Sequence, residues 1–241
     1  MTRYVLLSAA LLCTLVLNVG TRAQTDERAR AAAEIESLRE QIKAREAVLL
    51  SVSREDEERY ASFLAQPRTG LTRLLPREKW DGKLSTRGGG AYYSFARLTH
   101  EYGYGSDIEL QQGQFSVGFA GADFGFLVNL GDMPLENVSL DTEAVRPLAG
   151  SLTDASEKGA RVQQRRAAEG FKEGERTYAG RLAAVAGNTY ALRSVNYDGS
   201  DVLVAFRVVR ADDDGSVVLL WKMLKRFPKP TLDRSASVAE H

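Results

Sequence analysis

The chain has 241 residues, of which 44% are hydrophobic and 27% are charged. This composition is normal for a globular protein and excludes a wholly disordered chain, a collagen-like chain and a multi-span membrane protein. Lys and Arg total 32, as do Asp and Glu, so the basic excess that marks a nucleic-acid binder is missing. We therefore expect one or two folded domains and no nucleic-acid partner.

Residues 1–23 have the pattern of a secretory signal peptide. Arg3 precedes an apolar run that extends to about Val19, and Thr21 and Ala23 are small residues at the two positions that a signal peptidase reads. We expect cleavage after Ala23 and export to the periplasm or the extracellular space. The run is shorter than the roughly 20 apolar residues of a membrane-spanning helix. The alternative is an uncleaved anchor in the inner membrane, which would be the protein's membrane contact.

Cysteine and histidine are nearly missing from the chain. The one cysteine, Cys13, lies inside the predicted signal peptide, so the mature chain would have no disulfide, thiol nucleophile or thiolate metal site. The one internal histidine, His100, is not accompanied by a Gly-x-Ser-x-Gly motif, and its neighbour Glu101 points to the other face of a strand. We interpret His100 as a sheet histidine and expect no catalytic residue, no metal and no cofactor.

Residues 25–66 are predicted to form a charged helix, because they contain neither Gly nor Pro and are rich in Ala, Glu, Arg and Leu. Apolar residues recur at alternating spacings of three and four, which is the a/d seam of a coiled coil. Arg45 interrupts this seam. We expect residues 25–66 to mediate self-association or to bind a partner protein, and the alternative is a solvated spacer. The apolar seam positions are Ile35, Leu38, Ile42, Leu49 and Val52.

Residues 68–91 are predicted to be a linker, because Pro67 and Pro76 end the helical pattern. The triplet Gly88–Gly90 is typical of a flexible joint. A phosphate-binding loop would need Lys followed by Ser or Thr and then a helix, whereas Ala91 and two tyrosines follow the triplet.

Residues 92–227 are predicted to form a β-rich domain. The first strands are expected at 92–102, 114–119 and 124–130, the last two as a hairpin because apolar residues alternate on each side of a short loop. A short lateral helix is expected at about 155–168, with Asp154 and Glu157 as a capping box.

The last third of this domain has the clearest pattern in the chain. Four β-branched runs at 176–185, 189–197, 202–210 and 216–227 are separated by turns rich in Asp, Asn and Gly, which is typical of an antiparallel meander. The run 202–210 is apolar on both faces, so we expect that strand to be central and covered on both sides. The polar tail 228–241 is predicted to fray.

These elements predict an α+β fold, with a long N-terminal helix followed by a mainly antiparallel β domain and one lateral helix. A meander, a sandwich and a partly open barrel all fit the β domain.

Two surface features of the β domain are candidates for binding. Tyr102 and Tyr104 lie in a glycine-flanked stretch and are predicted to contact a ligand or partner. The acidic turn 212–215 is similar to a calcium loop, but Trp221 stands where an EF-hand requires Glu. We interpret this turn as solvated.

We therefore favour an exported, non-enzymatic envelope protein that acts in interaction or scaffolding through its N-terminal helix. The alternative is an envelope hydrolase, or a protein that binds a sugar or another small ligand, with carboxylates and tyrosines in a β cleft. Two acids beside an aromatic wall in one cleft would favour that alternative.

Overall fold

The computed structural model describes residues 2–100, 103, 105–150 and 153–233, with side chains from residue 24 onward. The described chain divides into two compact units, Met1–Val48 and Leu49–His241. A single helix, α1 (Thr2–Leu50), precedes a domain of antiparallel sheets and short helices. The predicted α+β class, with its long N-terminal helix, is confirmed.

Short helices and strands alternate in the second unit. The helices are α2 (Arg54–Arg59), α3 (Ala61–Leu64), α4 (Arg77–Trp80), α5 (Arg146–Ala149) and α6 (Glu157–Glu169), with single 3-10 turns at Leu135–Asn137 and Glu143–Val145. The strands are β1 (Thr69–Leu74), β2 (Tyr92–Tyr93), β3 (Ile108–Gln111), β4 (Gln114–Ser116), β5 (Phe124–Gly131), β6 (Phe171–Glu173), β7 (Arg176–Ala179), β8 (Arg181–Ala183), β9 (Thr189–Asn196), β10 (Ser200–Ala211) and β11 (Val217–Arg226).

The N-terminal helix is shorter at its C-terminal end than the sequence predicts. Helix α1 ends at Leu50, and a new helix, α2, starts after Ser53. The Ser53 hydroxyl accepts a hydrogen bond from Asp56 N at 3.2 Å, which caps α2 and competes with helix continuation through this point. Val52 lies in the break, so its place in the helical seam was wrong.

The strands form two antiparallel sheets among the described residues. The larger has seven strands in the order β1-β11-β10-β9-β5-β7-β6, and the smaller has four in the order β2-β3-β4-β8. The last three of the four predicted meander strands are neighbours, as β9-β10-β11, whereas the first, 176–185, does not pair with β9. Strand β1 pairs with β11, for example Leu71 with Leu220, within the range that was predicted to be a linker.

The predicted strand 176–185 is two strands that belong to different sheets. Strand β7 pairs with β5 in the large sheet, and β8 pairs with β4 in the small one. Gly180 stands between them, and its N–H donates to the Ala167 carbonyl of α6 at 2.6 Å. A Cβ at Gly180 would lie only 3.2 Å from that oxygen, so the close approach to α6 favours glycine where the chain changes sheets.

The predicted hairpin of 114–119 with 124–130 was also wrong. Strand β4 lies in the small sheet and β5 in the large one. Gly118 has a left-handed φ of 82°, and a Cβ there would lie 2.9 Å from Phe124 Cα. The alternation of the side chains was read correctly, but a period of two carries no information about which strand is the partner.

Of the predicted strand 92–102, the described residues 92–100 form a strand only at the two residues of β2. A turn follows, closed by a hydrogen bond of 2.7 Å from Leu98 N to Ser94 O. Leu98 has φ 58°, which is incompatible with a continuing strand.

The two sheets pack face to face, and helices cover the other face of the large sheet. This is the sandwich alternative of the predicted architectures, with an added helical layer. Strand β10 is buried on both faces, as predicted from its apolar pattern. Between the sheets lie Tyr93, Ile108, Phe115, Leu192, Val204, Phe206 and Leu219. The helical layer packs through Phe63, Phe126, Val128, Leu148, Ala160, Ala167, Leu203 and Ala205.

Helix α6 is the predicted lateral helix, with a different cap. Its N-cap is Ser156, whose hydroxyl accepts from Gly159 N at 3.1 Å. Asp154 instead accepts from Ser156 N at 2.8 Å and lies two residues before the N-cap, so it is not part of a capping box with Glu157.

Candidate functional site

The seam on α1 is exposed in its central part. Ile35, Leu38 and Ile42 keep 49%, 49% and 51% of their surface accessible, and Leu49 keeps 36%. Side chains of this size at a/d spacing form a narrow apolar stripe along a helix that is otherwise charged. Within the part of α1 whose side chains are described, the stripe is an available interaction surface.

The two candidate tyrosines, Tyr102 and Tyr104, lie outside the described residues. Their assignment as a contact for a ligand or partner stays a prediction. The neighbouring Gly103 and Gly105 have φ values of 149° and 97°.

Arginines pair with two of the three aspartates in the acidic turn between β10 and β11. Arg73 Nη2 lies 3.0 Å from Asp212 Oδ2 and 3.4 Å from Asp214 Oδ2, and Arg210 Nε lies 2.7 Å from Asp212 Oδ1. The turn is therefore ion-paired, where the sequence suggested solvated acids. Among the described residues, no group of three or more His, Cys, Asp or Glu side chains could hold a metal ion.

Arg210 also joins this turn to the start of α2. Its Nη1 forms an ion pair with the buried Asp56, and it donates to Ser53 Oγ at 3.2 Å. This ion network explains why the charged Asp56 is buried beside the sheet, and it assigns the acidic turn a structural role.

His100 contacts main-chain and neutral side-chain groups. Its Nε2 lies 2.8 Å from the Arg73 carbonyl oxygen, which can only accept, so Nε2 carries the proton. The ring packs edge-on against Tyr93 at 5.1 Å. Burial lowers the pKa of His100, against the opposing effect of its hydrogen bond to the carbonyl. His100 is therefore hydrogen-bonded, as expected, but it follows the isolated bridge at Thr99 and lies outside the strands, so its assignment to a sheet was wrong.

Asp107 is a fully buried carboxylate that the sequence did not single out. Its Oδ2 accepts from Phe95 N at 2.7 Å and from Ser94 Oγ at 3.2 Å, and its Oδ1 accepts from Asn196 Nδ2 at 2.9 Å. Burial raises its pKa to about 6. These bonds fix the turn after β2 to the end of β9, which is a structural function.

Two further buried acids, Glu109 and Asp123, line one cleft of about 470 Å³. Glu109 accepts from Ser116 Oγ at 2.8 Å and from Arg77 Nη1 at 3.0 Å. Phe119 forms part of the cleft wall.

Asp123 has a different environment from Glu109. It accepts a hydrogen bond from Tyr197 N at 2.8 Å. Burial raises its pKa to about 6, with smaller contributions from Asp107 and Asp198. A carboxyl with a pKa of about 6 is mostly ionised at pH 7, but it gains and loses its proton only slightly below neutral pH. In the same cleft as an arginine-paired carboxylate, it could therefore exchange a proton or a hydrogen bond with a ligand. Sequence reasoning missed both acids, because nothing local distinguishes them among 32.

No family model, curated protein or solved structure matches this chain. Among the described residues that were searched, none of the helices has the length and apolar character needed to cross a membrane.

Proposed function

We propose that the protein is an exported, non-enzymatic envelope protein that self-associates through the α1 seam. The observation that carries this proposal is the half-exposed stripe of Ile35, Leu38 and Ile42 at coiled-coil spacing. Export is supported by the signal-peptide pattern of residues 1–23.

The sequence around the stripe favours a parallel pair of helices. Ile35 and Ile42 occupy a positions and Leu38 a d position, the combination that favours two strands. Glu34 is at a g position and Arg39 at the e position of the next heptad, and their charges are opposite. In a parallel dimer, Glu34 of one helix would lie opposite Arg39 of the second helix. A second copy of this chain is therefore the occupant that the stripe fits best.

The expected association is weak. Fully burying a side chain of this kind contributes about 1.5–3 kcal/mol, so burying the remaining half contributes about 1 kcal/mol each. Three side chains on each of two helices give about 6 kcal/mol, against an association cost of about 4–15 kcal/mol. Even at the lowest cost, the net gain is only about 2 kcal/mol, which corresponds to a Kd weaker than about 1 mM. We therefore expect a reversible dimer that is populated only where the local concentration of the chain is high.

Engineered cysteines test this proposal in cells. In a Cys13→Ser background, Leu38→Cys at the seam is expected to form an interchain disulfide in an oxidising compartment. The matched control is Glu40→Cys, which lies on the outer face of the same helix. Loss of the crosslink, or equal crosslinking of both variants, would refute association through the seam.

A second candidate function is hydrolysis or small-ligand binding in the cleft of Glu109 and Asp123. Their contrasting environments, beside the aromatic Phe119, favour it. The melting temperature, measured with each of a panel of neutral sugars, tests this candidate. The test variant is Asp123→Asn, and a separate variant, Glu175→Gln, is the control at an exposed acid. A sugar that raises Tm in the parent and the control, but not in Asp123→Asn, would support it. No shift with any sugar would count against it.

A further inference from the structure

A second cleft, of about 480 Å³, opens at the edge of the sandwich beside β1 and β11. It is separate from the cleft of Glu109 and Asp123 and from the α1 seam. Its lining comes from the segment before β1, the turn after β2 and the C-terminal half of β11. The lining residues are Arg68, Thr69, Phe95, Ala96, Leu98, Trp221, Met223 and Arg226.

The floor of this cleft is apolar and fixed. Phe95 and Trp221 are buried, and their rings pack edge to face with centroids 5.4 Å apart. Met223 is partly buried, whereas Leu98 at the opening is 63% exposed. Because Phe95 and Trp221 are only 1% and 4% exposed, the apolar surface available to a ligand comes mainly from Leu98 and Met223 above them.

The rim is held in unusual backbone conformations. Arg68 and Leu98 have φ values of 61° and 58°, and they are two of the four non-glycine residues with positive φ among those described. Met223 N donates to Arg68 O at 2.9 Å, and Leu98 N donates to Ser94 O at 2.7 Å. These bonds hold both rim residues in place, so the cleft is formed before any ligand arrives.

The charge of the cleft is positive. Arg68 and Arg226 are its charged lining residues, and neither forms an ion pair with a described side chain. Arg226 Nη2 donates to the Ala96 carbonyl at 3.1 Å. Two guanidinium groups above an apolar floor, with no carboxylate among the described lining residues, match a ligand with an anionic head and an apolar body.

We infer that this cleft binds an amphiphilic monocarboxylate of the fatty-acid class. The acyl chain would lie on Leu98 and Met223, at the edge of the buried rings of Phe95 and Trp221. The carboxylate would accept hydrogen bonds from Arg68 and Arg226. A planar carboxylate fits the fork of donors that a guanidinium presents.

Tryptophan fluorescence tests this inference on the full chain. The chain has two tryptophans, so Trp80→Phe leaves Trp221 as the reporter in the cleft wall. Titration with dodecanoate below its micelle concentration is expected to give a saturable change. Dodecyltrimethylammonium, which has the opposite charge, is expected to give none.

Arginine variants locate the head group. The double variant that carries both Arg68→Gln and Arg226→Gln is expected to raise the Kd for dodecanoate at least tenfold. The matched control is Arg176→Gln, because Arg176 also donates to a carbonyl, that of Asn129, at 2.8 Å. The inference is overturned if dodecanoate produces no saturable change, if the cationic probe binds equally well, or if the control weakens binding as much as the double variant. Tighter binding of dodecyl phosphate than dodecanoate would overturn the choice of a carboxylate.

Discussion

The guanidinium of Arg193 and the carboxylate of Asp201 form an ion pair almost completely removed from solvent, with side-chain exposures of 1% and 2%. Nε and Nη2 donate to the two carboxylate oxygens at 2.5 and 2.8 Å. Nη1 donates to the carbonyls of Leu148 and Gly150 at 2.6 and 3.1 Å, and the Phe227 ring centre lies 3.2 Å from the guanidinium carbon. The pair therefore joins β9 and β10 to α5, to Gly150 directly after it and to the residue after β11.

Removing one member of this pair leaves a buried charge without compensation, which costs about 3–5 kcal/mol. We predict that Asp201→Ala lowers the free energy of unfolding by about 4 kcal/mol, out of a total of about 5–15 kcal/mol. In a domain of this size, the same change lowers Tm by about 8–16 °C.

The double variant Arg193→Met with Asp201→Leu removes both charges and replaces them with apolar groups. The single variants Arg193→Met and Asp201→Leu each leave one charge unpaired, whereas the double variant leaves none. We therefore predict that the double variant loses at least about 2 kcal/mol less unfolding free energy than the two single variants lose in sum.

Urea denaturation at pH 7, followed by tryptophan fluorescence, measures these free energies. The control is Asp132→Ala, because Asp132 pairs with Arg207 but its side chain is 84% exposed. We expect that variant to lose less than about 1 kcal/mol. Strictly additive losses in the double variant, or equal losses for Asp201→Ala and Asp132→Ala, would refute the reasoning.

Three further predictions concern a cap, a glycine and two buried acids. Ser53→Ala removes the cap of α2 and is expected to lower the unfolding free energy by about 1 kcal/mol in urea, whereas no change would contradict the cap. Gly70→Ala would place a Cβ 2.5 Å from the Trp221 ring and is expected to cost about 1–3 kcal/mol, and an unchanged urea midpoint would contradict that contact. Burial raises the pKa values of Asp107 and Asp123 from 3.8 to about 6, so the folded state holds these protons more tightly than the unfolded state. Their contribution to stability is therefore fully present below about pH 4 and declines as the pH rises to about 6. Asp123→Asn should make this decline shallower, and an unchanged pH profile would show that Asp123 does not cause it.

The parts of the fold that sequence predicted well are those encoded locally. The meander of β9, β10 and β11 follows from tight turns such as 212–215, because short turns bring consecutive strands together. The central position of β10 follows from apolar residues on both of its faces. The N-terminal helix was predicted because Gly and Pro are missing from residues 25–66, but its end at Leu50 depends on the capping hydroxyl of Ser53.

The parts that sequence did not predict depend on contacts between distant residues. Gly118 and Gly180 take the chain from one sheet to the other, and their glycine character reflects close approaches to Phe124 and Ala167. Nothing in the local sequence shows those approaches.

The candidate sites divide in the same way. The α1 seam was visible because it is periodic. The cleft acids, Glu109 and Asp123, were not, because their convergence is created by the packing of β3, β5 and α6.

The most direct test of self-association through α1 is sedimentation equilibrium of the chain with Arg45→Leu. Arg45 occupies a d position, where it would face its own copy in a parallel dimer. Replacing it with leucine removes that repulsion and adds apolar surface on both helices. We predict a dimer tighter by on the order of 100-fold, the equivalent of about 3 kcal/mol. The control, Arg30→Leu on the outer face, should leave the dimerisation constant unchanged. A protein that stays monomeric with Arg45→Leu, or that tightens equally with Arg30→Leu, would contradict the account.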